Sequence, residues 1–149
     1  MNKLAILCCA LAVAACGSAK KSGDEATITL NDGKGGQSTI TTGKSADVAL
    51  PAGFTAYPGA EVLSNVTLKE GDGSVTILSM GTGDSLDKVV AYYKAQAARA
   101  GVEIGMDMKT PESAMIGGNK DGLDFSLTAG PRDGGGTTAN LSLSRKTKG

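Results

Sequence analysis

The chain has 149 residues, with 15 Lys plus Arg balanced by 15 Asp plus Glu and no histidine. Neutral charge offers no basic surface to nucleic acid, and the missing imidazole removes Ser-His-Asp and Cys-His catalysis along with the commonest transition-metal ligand. The length suits one domain, and 22 glycines among 149 residues forecast many tight turns, since the usual share is about 7%.

Lys3 supplies a positive end, Leu4 to Val13 an apolar middle, and Ala14-Ala15 small residues before a cut. These are the three parts of a secretory signal. A transmembrane helix needs about 20 apolar residues, so this run is too short to span. Val13-Ala14-Ala15-Cys16 resembles the lipobox of bacterial lipoproteins, with Val13 standing where that motif prefers Leu. Cys8 and Cys9 are poor cleavage points, because Leu7 and Cys8 precede them. The resemblance implies that residues 1–15 are a removed signal peptide and that Cys16 opens the mature chain and carries lipid. It implies a cell-envelope location, and Gly17 in place of Asp after the Cys favours the periplasmic leaflet of the outer membrane. One acyl chain anchors marginally, at about 0.8 kcal/mol per buried CH₂; the three chains typical of the class make release negligible. With Cys8 and Cys9 cut away and Cys16 blocked, no thiol is left for a disulfide.

Residues 16–25 read as a lipidated polar tether. Residues 26–60 follow as a β-hairpin and connector: Thr27-Ile28-Thr29-Leu30 and Ser38-Thr39-Ile40-Thr41 have strand composition, with Asn31-Asp32-Gly33 turning between them. The same stretch also suits a flexible stalk, because two isolated strands are marginal in water. Leu50-Pro51 and Tyr57-Pro58 are held extended by their prolines.

Residues 61–145 form the main domain. Val62–Lys69 and Ser74–Met80 read as a strand pair, and Gly81-Thr82-Gly83 leads to one helix over 85–100. Leu86, Val89, Val90, Tyr93, Ala97 and Ala100 make its apolar stripe. Asp84 or Ser85 suits the N-terminal cap, Asp87 the positive end of the dipole, and Gly101 the stop. Beyond it the period becomes two: Val102, Ile104, Met106 and Met108 predict a strand with one buried face, and Ser113 to Gly118 a further strand. Leu123, Phe125 and Leu127, then Ala139, Leu141 and Leu143, repeat the alternation. Residues 146–149 are a tail. Strands arriving by hairpins with one helix across a face predict an α+β fold: a two-layer sandwich with a mainly antiparallel sheet, covered by helix 85–100, plus an N-terminal β-hairpin or stalk. The opposite sheet face, largely Thr, Ser, Asp and Lys, is expected to be solvated.

Phe54, Tyr57-Pro58-Gly59-Ala60, the strand pair, then Asp84-Ser85, Val89-Val90, Tyr92-Tyr93-Lys94 and Gly101 are similar to uncharacterised envelope lipoproteins of Gram-negative bacteria. In these a Tyr-Pro-x-Ala segment leads through strands to a helix of the form Asp-Ser-x-x-x-Val-x-x-Tyr-Tyr. The resemblance covers about Phe54 to Gly101, implies a small periplasm-facing domain and brings no catalytic residue with it.

Other motifs fail. Gly43-Lys44-Ser45 ends like a P-loop, but Ser38 occupies the first glycine position and no helix follows. Gly81-Thr82-Gly83 has Leu86 where a dinucleotide fingerprint needs its third glycine. Met80, Met106, Met108 and Met115 are soft donors of the kind Cu(I) prefers, yet Met106 and Met108 share a strand face with Val102 and Ile104 and read as core. Asp121 and Asp124 do not have EF-hand spacing.

The expectation is a non-catalytic, lipid-anchored envelope lipoprotein whose periplasm-facing domain contacts proteins or surfaces, with Cys16 as the lipidation site. No catalytic, cofactor or metal residues are expected. The membrane is the partner through the N-terminal lipid, envelope proteins are further partners, and nucleic acid is not. The alternative is a module binding a small ligand or ion; an enzyme working through Ser, Lys or Asp ranks third.

Overall fold

The computed structural model describes residues 17–22, 25–31, 33–34, 36–44, 48–70 and 73–146. The residues read as a signal peptide and as a lipobox with Cys16, and the end of the tail, lie outside the described residues. In chain order the elements are β1 (Gly17–Ser22), β2 (Glu25–Asn31), β3 (Gln37–Lys44), β4 (Glu61–Glu70), β5 (Gly73–Thr82), α1 (Leu86–Arg99), β6 (Glu103–Lys109), β7 (Ala114–Lys120), β8 (Leu123–Pro131) and β9 (Thr137–Arg145). All the strands join one nine-stranded sheet, ordered β1-β2-β3-β4-β5-β9-β8-β7-β6, and every neighbouring pair is antiparallel.

The path explains the shape. After β5 the chain leaves the middle of the sheet, crosses it as α1 and re-enters at the far edge as β6. It then winds back through β7 and β8 until β9 closes against β5. The β7–β8 turn needs left-handed backbone at both central positions, Asp121 (φ 48) and Gly122 (φ 80), the geometry whose twist matches a two-residue hairpin. Helix α1 begins after Ser85, whose extended backbone caps it without a side-chain bond. It ends where Gly101 (φ 70) turns the chain back, with Gly101 N–H on Ala98 O at 3.0 Å and Val102 N–H on Ala97 O at 2.8 Å. That bond pair is the Schellman stop, which satisfies the helix's last carbonyls.

The expected two-layer sandwich with a separate hairpin or stalk is overturned. Helix α1 packs mainly over β6, β7, β8 and β9 and reaches Met80 of β5 through Tyr93, so it covers one half of the sheet. The 26–42 hairpin is neither stalk nor appendage: β3 pairs along β4 with Ile40 opposite Val66 and Ser38 opposite Leu68. Within the stretch read as a tether, Gly17–Ser22 is β1, paired to β2 with Gly17 opposite Leu30. The result is one long sheet gripping a single helix with one half. Non-local strand pairing produces this difference, because a hairpin's own sequence does not state which edge it joins.

The core sits between α1 and that half. Leu123, Phe125 and Leu127 of β8, Leu141 and Leu143 of β9, Ile116 of β7, and Leu78 and Met80 of β5 close on Val89, Val90, Tyr93 and Ala97 of the helix. Each large side chain buried this way contributes about 1.5–3 kcal/mol. The ion pairs along the helix flanks, Lys88–Asp84, Lys94–Asp107 and Lys109–Asp87, are exposed to solvent and belong to a class worth about 0–1 kcal/mol each. Packing, not charge, holds the helix down.

A second correction concerns β6. Its register shifts between Ile104 and Met106, with Ile104 opposite Gly118 and Met106 opposite Gly117. The extra residue, Gly105, flips everything after it, as a bulge does. Met106 and Met108 therefore lie on the face away from the helix with Met115, and every residue of β6 is exposed. Asp107 and Lys109 take the helix side and reach Lys94 and Asp87. The third correction concerns the outer face. Across β8 and β9 it carries Asp124, Ser126, Asn140 and Ser142 as expected, but across β2–β5 it carries Ile28, Ile40, Val66 and Ile77. No helix of the described residues is long and apolar enough to cross a membrane.

Candidate functional site

Residues 48–60 form a strap between β3 and β4 that runs beside α1 over the gripping half of the sheet. Phe54 fixes the middle of it, stacking on Phe125 of β8 with ring centroids 5.3 Å apart. Tyr57 meets Tyr92 edge-on at 5.1 Å, and Tyr92 meets Tyr93 in the same way at 5.2 Å. Such aromatic pairs add about 0.5–1.5 kcal/mol each beyond the area they bury. The Tyr-Pro segment and the Tyr-Tyr pair, noted in the sequence as one motif, are thus the two halves of a clamp.

Two polar anchors complete the clamp. At the N-terminal end of α1, Tyr57 O–H donates to Asp84 Oδ2 at 2.8 Å and Lys88 Nζ to Asp84 Oδ1 at 3.0 Å. Thr137 Oγ1 donates to Asp84 O at 2.8 Å. The Lys88 hydrogen bond foremost, then that of Tyr57, holds the Asp84 carboxyl below the usual carboxylate range. Burial foremost, then the bond to Asp84, pushes Tyr57 up. Tyr93, wholly buried, is pushed up further by desolvation.

The second anchor is Gln96, a buried polar side chain in the last third of the helix. Its Oε1 accepts from Thr55 N–H at 2.8 Å and its Nε2 donates to Thr55 Oγ1 at 2.9 Å. Thr55 Oγ1 lies 2.8 Å from Tyr92 Oη, and Tyr92 O–H donates to Ala56 O at 3.3 Å. One proton direction satisfies the whole chain: Gln96 amide to Thr55 hydroxyl, Thr55 to Tyr92, Tyr92 to Ala56. Bonds aligned in this way polarise one another.

Between strap and helix opens a cleft of about 300 Å³ lined by Ala52, Gly53, Thr55, Tyr92, Gln96, Arg99 and Ala100. Its mouth is shaped by consecutive left-handed residues, Ala52 (φ 59) and Gly53 (φ 77); a side chain in that region at Ala52 stores strain of about 1–3 kcal/mol. Arg99 stands at the rim, and among the described residues no carboxylate pairs with it. Ala52, Gly53 and Ala100 give the cleft small apolar wall residues, and Arg99 gives it a positive end. On the helix side of β4, opposite Leu78, the buried Asn65 Oδ1 accepts no hydrogen bond among the described residues. A buried acceptor left in that state costs about 1–3 kcal/mol.

The residues singled out in the sequence are scattered. Gly43 and Lys44 end β3, Gly81-Thr82-Gly83 closes β5 and leads to the helix, and Asp121 sits in the β7–β8 turn. Met80 is in the core, far in kind from the three exposed methionines. Among the described residues no three His, Cys, Asp or Glu side chains gather to hold a metal. The candidate Cys16 lies outside the described residues. Gln96 and Thr55 were not foreseen; the one available signal was that Gln96 follows Tyr92 and Tyr93 at four and three residues, the spacing that shares a helix face.

No curated protein matches the chain, and no solved structure does. A family model described as START domain-like matches residues 62–139, from the start of β4 through α1 into β9. The matched stretch holds the helix, the strands beneath it and one wall of the cleft, and it is more than half of the 149 residues. On that match the chain belongs to the START domain-like family.

Proposed function

We propose that this protein is a non-catalytic binding module for a small amphipathic molecule, held at the cell envelope by lipid on Cys16. Membership of the START domain-like family favours ligand binding over the protein or surface contacts that the sequence first suggests. The observation that carries the reading is the cleft between strap and helix. Its volume of about 300 Å³ stands at the lower end for small-molecule sites, which run about 300–1,000 Å³, and its lining joins small apolar groups to one cation at the rim. That combination suits a short acyl chain ending in a carboxylate. The gripped core beneath α1 is filled by Tyr93, Leu78 and Met80, so we place the guest in the cleft and not in the core.

The test is titration of the ¹⁵N-labelled protein with decanoate, and with decanol as the neutral control. Saturable shifts centred on Thr55, Gln96 and Arg99, larger for decanoate and reduced in Arg99→Gln, support the reading. Shifts absent at millimolar decanoate, or spread evenly over the surface, overturn it. The anchor is tested separately: cells expressing the full chain are fed a palmitate analogue, with label expected on the parent and lost in Cys16→Ser. The residue after the Cys is Gly17, and on that basis the outer membrane is the expected destination.

A further inference from the structure

We infer that the outer side of β2–β5 is a membrane-docking face, lying against the lipid bilayer while α1 and the cleft face water. Four neighbouring strands place Ile28, Ile40, Val66 and Ile77 in one unbroken cross-strand row. The adjacent row runs Leu30, Ser38, Leu68, Val75. Ile28, Leu30, Leu68 and Ile77 are 42–48% exposed. Among the side chains described on this side between Ala26 and Ser79, the charged one is Glu61, at the border of the patch opposite Gly81 and paired with Arg132 at 2.8 Å. On the other side of the same strands stand Thr27, Thr29, Thr39 and Thr67. This is the reverse of β8 and β9, where the helix side is apolar and the outer side polar. A sheet that inverts its amphipathy at β4–β5 has one apolar face for its core and a second apolar face that its own helix does not cover; contiguous patches of that kind mark interaction surfaces.

The occupant follows from where the chain enters the sheet. Gly17 lies directly opposite Leu30, and neighbouring strands are about 4.8 Å apart. Residue 16 is one Cα step further, about 3.8 Å. Covalent geometry therefore keeps an acylated Cys16 within about 10 Å of Leu30. Inserting its chains brings the corner of the apolar face to the bilayer surface, where shallow burial of apolar groups to about 5–10 Å is favourable. A second copy or an envelope protein has no such tie to this face. The inference takes the lipid on Cys16 from the proposed function and adds an orientation to it.

The protein contains no tryptophan, so single-tryptophan variants of the full, membrane-purified chain report without background. Ile77→Trp and Leu68→Trp sample the outer face, Thr29→Trp the opposite side, and Lys88→Trp the exposed flank of α1. Each is reconstituted in phosphatidylethanolamine vesicles containing brominated phosphatidylcholine, after circular dichroism confirms the parent fold. We expect several-fold stronger quenching and a blue shift at the two outer positions than at Thr29→Trp and Lys88→Trp. A palmitate-labelled parent whose outer tryptophans are quenched no more than Lys88→Trp overturns the docking face and leaves the anchor standing. An unlabelled parent that still shows the quenching pattern overturns the anchor and leaves the docking face. Outer tryptophans that are blue-shifted but unquenched, in a protein sedimenting as a dimer, assign the face to a second copy and refute the inference.

Discussion

Gln96→Ala removes a side chain that bonds to both the backbone and the hydroxyl of Thr55 in the strap. Two hydrogen bonds, from Thr55 N–H and to Thr55 Oγ1, are lost at about 0.5–1.5 kcal/mol each, and the Thr55 amide left behind costs about 1–3 kcal/mol more if water cannot reach it. Thr55 is exposed on its outer flank, so water recovers part of that cost and the lower half of the range applies. Alanine is the best helix former, so propensity adds no penalty. The expected destabilisation is about 2–3 kcal/mol, read by urea unfolding as a lower midpoint at unchanged slope. Hydrogen exchange at the Thr55 amide should accelerate more than exchange in β8. A double-mutant cycle with Thr55→Val isolates the hydroxyl bond, with expected coupling near 1 kcal/mol. Additivity within about 0.5 kcal/mol, or a Thr55 amide as protected as before, would refute the argument that Gln96 fastens the strap.

The bulge at Gly105 predicts an order of oxidation: dilute peroxide should convert Met108, Met106 and Met115, which are 63%, 38% and 39% exposed, well before Met80 at 1%. Peptide mapping checks it, and a protected Met106 and Met108 would restore the plain alternation. Gly118→Ala would drive a Cβ into the Glu103 carbonyl across the bulge, whereas a Cβ on Gly105 meets nothing within 4 Å. The first should cost about 1–3 kcal/mol as an overpacked site and Gly105→Ala little, compared by thermal unfolding. The lowered pKa of Asp84 means its carboxylate stabilises the fold above the ordinary Asp value of 3.8, and that this is lost as pH falls through the lowered one. Asp84→Asn should therefore flatten the acid limb of a stability–pH curve. Tyr93 has the opposite sign: its raised pKa makes stability decline as pH rises above the ordinary 10.0, and Tyr93→Phe should blunt that alkaline limb.

What could be read from the letters was the local part. β4, β5, α1, β8 and β9 stand where alternation or a three-to-four spacing placed them, and Leu123-x-Phe125-x-Leu127 buries the face it advertises. β6 misled because Val102, Ile104, Met106 and Met108 alternate without a break while the backbone does not. The clue was the glycine inside the strand, which often marks a bulge. The hairpin strands at 26–42 were legible, but their place was not: Ile28, Leu30 and Ile40 alternate with threonines equally well whether the apolar side meets a core or a bilayer. Gln96 escaped because its partner lies 41 residues away on a strap without periodicity. The cleft escaped with it, since its mouth depends on a left-handed alanine that no pattern announces.

An open sheet ends in rows of unpaired amides and carbonyls, each an invitation to a neighbour's strand. At β6 the extra Gly105 interrupts the spacing of such a row, and Asp107 and Lys109 fold back to pair with the helix. The bulge is thus a guard against end-to-end polymerisation as well as a switch of faces. Deleting Gly105 would straighten the border, cut both ties to the helix and leave a growing point for filaments, visible as light scattering that rises with concentration.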